Sequence, residues 1–341
     1  MKNSSRNRLS AAQYVNEILR GNRVVLAQAI TLIESKNPGD RALADQVIEH
    51  ILPHTGRSMR LGITGSPGVG KSTFIEAFGK YLTDQDKKIA VLAIDPSSSR
   101  TKGSILGDKT RMEELSKDTR AFIRPTAAGS ALGGVADYTR EAILLCEAAG
   151  YEIIIVETVG VGQSEIAVRN MVDFFLLLML AGSGDELQGI KKGIMEMADG
   201  IVITKADGDN LHRARLAQAD FQHALHLFPP SESGWQVKVL TASALERTGL
   251  QQIEELLTRF REKTEASGFF MHQRQQQNLE WFRTGFHNLI THHLFGAENL
   301  KQKISALESQ IQSQQISPGT AARQLFHEFT NPSTNQHDRQ T

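Results

Sequence analysis

One cysteine, Cys146, stands in a chain of 341 residues. That scarcity excludes an internal disulfide, a CxxC redox pair and a cysteine-based zinc cluster, and it fits a reducing, cytoplasmic compartment. A surplus of charge is missing as well. Lys and Arg total 38 and Asp and Glu total 38, so no basic excess exists to neutralise a run of phosphates, and nucleic acid is not the expected partner. Long apolar runs are also absent. The longest, FFLLLMLA from Phe174 to Ala181, is far short of the ~20 residues that a membrane-crossing helix requires, and it reads as a buried strand. The opening MKNSSRNRLSAAQYVNEILR lacks the continuous apolar stretch of a secretory signal, so neither export nor membrane association is expected. Core-forming residues are not lacking. Hydrophobic residues make up 40% and charged residues 22%, which separates the chain from disordered sequences.

Three segments differ in rhythm. Over 1–57, Val15, Ile18, Leu19, Leu26, Ile30, Ile33, Leu43, Val47 and Ile48 recur at helical spacing, with a turn signal at Asn37-Pro38-Gly39, which predicts an N-terminal helical extension. Over 58–267, short apolar runs alternate with longer amphipathic stretches, the pattern of a doubly wound, mostly parallel α/β sheet. The predicted strands are 60–64, 89–94, 121–124, 153–157, 174–180, 201–204 and 237–241. Over 268–341 the strand signals stop and a Gln-rich helical tail follows. Its stripe of Trp281, Phe282, Phe286, Leu289, Ile290 and Leu294 has to be covered, either by the chain itself or by a second copy.

The chemistry begins at Gly65-Ser66-Pro67-Gly68-Val69-Gly70-Lys71-Ser72-Thr73, which matches GxxxxGK[ST] between the strand RLGIT and a helical segment. Such a loop wraps phosphates with backbone amides, Lys71 neutralises the β and γ oxygens, and the Ser72 hydroxyl is placed to ligate Mg²⁺. Later, Thr204-Lys205-Ala206-Asp207 ends an apolar strand, where many GTP-binding proteins carry NKxD. Asp207 can accept from N1–H and the N2 amino group of guanine, which adenine does not present, and the Lys205 stem would lie against the base. Thr204 in place of Asn removes an amide that could brace the phosphate loop, so a less rigid loop is expected. Ser243-Ala244-Leu245, after the following strand, is similar to the loop that meets the guanine oxygen through backbone amides. Asp95 and Glu157 end two apolar strands, VLAID and IIIVE. One such acid alone is more often a helix cap, but two beside a phosphate loop favour Mg²⁺ coordination, direct or through water. In Glu157-Thr158-Val159-Gly160 the glycine N–H stands where a γ-phosphate could be sensed, as in a DxxG switch with Glu for Asp.

The segments VLAIDPSSS, GSILGDKTRM, FIRPTAAGSALGGVA, VETVGVGQSE, GDELQGIKKGIME and ITKADGDN together resemble the MeaB/ArgK family of P-loop GTPases, metallochaperones of methylmalonyl-CoA mutase. The resemblance spans most of 59–267 and continues into both helical ends. It implies a homodimer, with 268–341 as the dimerisation arm, that hydrolyses GTP to GDP with Mg²⁺. It further implies binding to an adenosylcobalamin-dependent acyl-CoA mutase and gating of cofactor loading, protection or reactivation, with no cobalamin held by this chain itself. By position it assigns Asp108 to the first switch near Mg²⁺ and Arg111 to the role of an arginine finger in cis, beside Lys71 and Glu157 as the catalytic set. It also reads 184–193 as a third switch, with Asp185, Gln188 and Lys191 as its exchangeable polar members. Arg100 and Lys102 depart from the family pattern and bear on the local shape of the first switch. Two alternatives stay open: a P-loop kinase acting on a small molecule, and a nickel-type metallochaperone GTPase, against which stand the single cysteine and the isolated His292-His293 pair.

Overall fold

Strands with apolar residues on both faces need helices on both sides, and a parallel sheet supplies them. The computed structural model describes residues 8–35, 37–95, 112–127, 134–158, 164–182, 192–225, 228–229, 231–296 and 298–330. Among them β1 (Met59–Gly65), β2 (Ile89–Asp95), β3 (Ala121–Ala127), β4 (Ile153–Thr158), β5 (Phe174–Leu180), β6 (Gly200–Thr204) and β7 (Lys238–Thr241) form one sheet in the order β3-β2-β4-β1-β5-β6-β7. Every pairing between these strands is parallel. The predicted doubly wound fold is therefore present, with all seven strands where the sequence places them.

The helices are α1 (Ala11–Leu19), α2 (Arg23–Ile33), α3 (Pro38–Ile51), α4 (Lys71–Thr83), α5 (Glu113–Lys117), α6 (Gly134–Ala148), α7 (Ser164–Arg169), α8 (Lys192–Met197), α9 (Leu211–Leu225), α10 (Leu250–Ala266), α11 (Phe269–Gly296), α12 (Glu298–Gln312) and α13 (Pro318–Thr330). Alternation along β2 shows how the layers form. Ile89 and Val91 join the core with Phe74 and Phe78 of α4, whereas Ala90, Leu92 and Ile94 join the core with Ala142 and Leu145 of α6. The N-terminal helices add a layer outside α6, with Ile18, Leu26, Ile30 and Val47 in the same cluster as Cys146. Ser10 and Asn22 cap α1 and α2, and Asn37 caps α3 just ahead of Pro38, so the turn signal read in the sequence is a helix start. Cys146 is fully buried there, and burial pushes its thiol well above the usual range, which makes it a packing residue and not a reactive one. Among the described residues no helix is long and apolar enough to cross a membrane.

Two compact units emerge, Met1–Leu279 and Glu280–Thr341. In the first, the start of α11 is fixed by Arg274, which is 5% exposed. Its guanidinium donates to both Asp173 oxygens at 2.7 Å, to Gly56 O at 2.7 Å and to Ser58 O at 2.6 Å. Asp173 also accepts from the Arg60 amide at 2.7 Å, and the Arg60 side chain pairs with buried Glu147 at 2.9 Å. In the second unit, Lys303 of α12 bonds Glu328 of α13 at 2.8 Å. Among the described residues, three members of the apolar stripe stay largely uncovered: Phe282, Phe286 and Leu289 are 69%, 58% and 72% exposed. The side chains of Leu294, His292 and His293 lie outside the described residues.

Removing Arg274 strands a buried carboxylate. Arg274→Ala is expected to destabilise the first unit by ~3 kcal/mol or more, measured by Trp235 fluorescence during urea unfolding in a Trp281→Phe background. A loss below about 1 kcal/mol would place the pair among weak surface bridges.

Candidate active site

The C-terminal ends of β1, β4, β5, β6 and β7 bring the sequence-predicted residues together. After β1 the loop passes so close to β5 that a Cβ on Gly65 would stand 2.5 Å from Leu178 O. Gly70 then caps α4 with φ 95°, a left-handed conformation that glycine adopts without steric cost. Val69 is buried in the core under α4, whereas Pro67, Gly68 and Thr73 are exposed. Lys71 Nζ donates to Gly65 O at 2.8 Å and Ser66 O at 3.2 Å, so the ammonium lies along the loop. Burial lowers its pKa against the opposing pull of Glu157 and Glu165.

The expected loss of bracing at Thr204 does not occur. Its hydroxyl donates to Val69 O at 2.8 Å and is shared with Met179 O at 3.1 Å. Threonine reaches the loop carbonyl because β6 ends directly beneath it, so a short hydroxyl suffices where an amide was thought necessary. Lys205 Nζ adds a bond to Gly68 O at 3.0 Å. Lys205 takes φ 55°, and Asn210 Nδ2 donates to its carbonyl at 2.7 Å. A non-glycine residue in that region is strained by ~1 kcal/mol or more and persists where its surroundings hold it.

Asp207 is aimed from the other side. Ser243 Oγ donates to Asp207 Oδ2 at 2.5 Å and accepts from the Glu246 amide at 3.1 Å. The Ser243 backbone exchanges both its bonds with Thr248 at 3.1 Å. The Ser243 hydroxyl thus holds Asp207 while its amide is engaged by Thr248, and the amide contact expected of the 243–245 loop falls to Ala244 and the exposed Leu245.

On the phosphate side, Ser72 Oγ donates to Glu157 Oε1 at 3.2 Å. Glu157 is buried in β4, in register with Ile63 of β1 and Ala93 of β2. A hydroxyl and a carboxylate converging at one strand end are hard oxygen donors of the kind Mg²⁺ takes alongside substrate phosphates. Asp95 ends β2 opposite Ala127, and its side chain lies outside the described residues. Asp108, Arg111, Gly160, Asp185, Gln188 and Lys191, together with Arg100 and Lys102, lie outside the described residues altogether. Sequence reasoning overlooked Glu165. It is 2% exposed in the first turn of α7 and acts electrostatically on Lys71. An acid two residues beyond the GVGQ stretch that follows the β4 motif was the available signal.

Comparison with known proteins decides the family. The family model described as methylmalonyl Co-A mutase-associated GTPase MeaB matches residues 26–299. The chain belongs to the MeaB family. It is a GTPase, as its relatives are named. The GTPase ArgK of Escherichia coli (strain K12) is 47% identical over 319 residues, covering 94% of this chain and 96% of that protein. The mitochondrial methylmalonic aciduria type A homolog of Mus musculus is 44% identical, covering 92% of this chain and 78% of that one. The crystal structure of a protein named LAO/AO transport system kinase superposes with a TM-score of 0.77 at 40% identity, over 97% of this chain and 99% of that chain. In this MeaB-family GTPase, Asp207→Asn should shift preference from guanine to xanthine nucleotides, because the new amide donates where the carboxylate accepted. The measurement is competitive binding of GDP, XDP and ADP. Unchanged preference for GDP would remove Asp207 from base reading.

Proposed function

We propose that this GTPase binds an adenosylcobalamin-dependent acyl-CoA mutase, methylmalonyl-CoA mutase first among them, and that GTP turnover gates loading, protection or reactivation of the mutase cofactor. The observation that carries the reading is the match over 26–299 to a family described by its association with that mutase. The name of the mouse relative, which refers to methylmalonic aciduria, supports it. Cobalamin stays with the mutase in this reading. The buried Cys146 suits a reducing cytoplasm.

The residues are proposed to divide the work as follows. Gly65 to Thr73 wrap the phosphates, and Lys71 compensates their charge. Thr204, Lys205, Asp207 and the 243–245 loop hold the base. Ser72 and Glu157, with Asp95 and Asp108, would hold Mg²⁺, which when bound supplies charge neutralisation at the phosphate oxygens. Arg111 brings positive charge to the transferring phosphoryl group, where it counts most in the transition state. Gly160 reports whether the γ-phosphate is present. A kinase reading is favoured only by the name of the superposed protein, and release of inorganic phosphate in step with GTP loss separates the two.

The 268–341 arm is proposed to pair two copies, since Phe282, Phe286 and Leu289 are largely exposed in one chain and such a patch marks an interaction surface. Light scattering should give twice the chain mass for the native protein and a monomer for Phe282→Asp/Phe286→Asp. A native monomer would refute the arm. For the mutase, turnover is compared with and without saturating methylmalonyl-CoA mutase. Stimulation is expected in the native protein, and Ala at Asp185, Gln188 and Lys191 should leave the basal rate nearly unchanged while removing most of the stimulation. Native-level stimulation in all three variants would make 184–193 a plain connection. Absence of any binding between the GTP form and the mutase would end the proposal.

A further inference from the structure

Helix α4 carries Ser72 in its first turn and Glu76 one turn later on the same face. Glu76 is half-buried. Its Oε1 accepts from the Glu114 amide at 2.7 Å and the Leu115 amide at 3.2 Å. These are first-turn amides of α5, which have no partner inside their own helix, and Met112, the residue preceding α5, supplies no side-chain cap. Among the described residues the second oxygen, Oε2, is buried without a hydrogen-bond partner, so the carboxylate is committed to this contact despite the desolvation it suffers. Apolar packing acts at the same place. Met112 and Leu115 are fully buried, and Leu115 fills a notch that exists because residue 79 is glycine: a Cβ there would stand 2.6 Å from Leu115 Cδ2.

Met112 is the residue directly after Arg111, and consecutive Cα atoms are about 3.8 Å apart. Wherever Arg111 works, its main chain is tethered at this point. Asp108 is four residues from the same anchor, within a reach of about 14 Å. The anchor is attached to the very helix that begins at Lys71 and Ser72. We propose that Glu76 is a positioning residue for GTP hydrolysis, clamping the start of α5 to the phosphate-loop helix and so fixing the point from which Arg111 and Asp108 reach the phosphates. The role rests on the reading of Arg111 and Asp108 as first-switch residues. Glu76 itself touches no nucleotide, and its effect passes through the backbone of 112–115.

The test compares Glu76→Ala, Glu76→Asp and Glu76→Gln in the full-length protein. Ala removes the acceptor, Asp keeps the charge but is one methylene short, and Gln keeps an acceptor oxygen at full reach. Ala and Asp are expected to lower kcat for GTP by about tenfold, a part of the roughly hundredfold that a misplacement of about 1 Å can cost. The GTP KM and GDP affinity should stay within about twofold, because the phosphate and base contacts are untouched. Gln should restore most of the rate. Hydrogen exchange at the Glu114 and Leu115 amides should accelerate in Ala and Asp and not in Gln. Adding Arg111→Ala to Glu76→Ala should cost clearly less than the product of the two single losses, because part of the effect of Glu76 passes through Arg111.

Native turnover in Glu76→Ala and Glu76→Asp with accelerated exchange would overturn the proposal. So would a parallel fall of kcat and GDP affinity, the mark of a merely structural residue, or independent multiplication of the two losses in the double variant. If Arg111→Ala and Asp108→Ala both turn over at the native rate, the first-switch reading falls and the proposal with it. The native rate of those two variants tells this result apart from failure of the clamp alone. Should the Ala variant fail to fold, the contrast between Asp and Gln carries the same decision.

Discussion

Two consecutive side chains at the end of one strand hold the phosphate loop: Thr204 donates to Val69 O and Lys205 to Gly68 O. Through these bonds the loop proposed to wrap phosphates and the strand end that precedes Asp207 become one rigid part. A nucleotide bridging the two, as proposed, would order neither, because the entropy of ordering is settled during folding. The rest of the loop follows from the same constraint. Its start cannot drift from β5, because Gly65 lies against Leu178 O, and its end is set by Gly70 at the head of α4. Ser243, bonded to Asp207, extends the rigid part to the loop after β7.

Against that fixed frame stand the segments expected to respond to the nucleotide. The first enters from β2 after Asp95, the second from β4 after Thr158 and the third from β5 just beyond Gly182. All three strands end on the face where the phosphate loop begins, as ligand-binding connections in open parallel sheets do. Responsive segments need firm ends, since a segment with two loose ends has no defined second arrangement to switch into. Strand pairing supplies the leading end in each case. For the first segment, the trailing end is the seating of α5 on α4 through Glu76, Met112 and Leu115.

The sheet was legible because a fully covered strand needs apolar residues on both faces, and runs such as VLAID, IIIVE and FFLLLML announce themselves. The phosphate loop and the TKxD motif were legible because their spacing is set by a ligand of fixed size. What spacing does not encode is contact between distant segments. Thr204 looked like a weakened Asn because nothing in the sequence says how near β6 comes to Val69. Glu165 drew no notice in the sequence, because its influence on Lys71 depends on where α7 is packed and not on spacing. Glu76 is separated from Glu114 by 38 residues, and only the packing of Leu115 against Gly79 reveals why they meet. The apolar stripe of α11 was legible as a surface that needs a cover, and among the described residues Phe282, Phe286 and Leu289 find none.

The opposite end of the sheet argues about the direction in which a partner's influence travels. Arg274, at the root of α11, is locked to Asp173 just before β5 and to Gly56 and Ser58 just before β1. Those two strands carry Leu178 and Gly65 at their far ends, about 20 Å away at ~3.3 Å per residue. Buried strands paired on both sides have a single arrangement, and energetic coupling over such a distance requires an element with two. A change at the root of the arm would therefore have to deform β1 and β5 to reach the phosphate loop, and the Asp173–Arg274–Glu147–Arg60 network resists it. The root of α11 is thus a fixed attachment, which agrees with the pairing role proposed for 268–341. A partner that alters turnover has its shortest route on the loop face, through segments whose ends are anchored to the nucleotide frame itself.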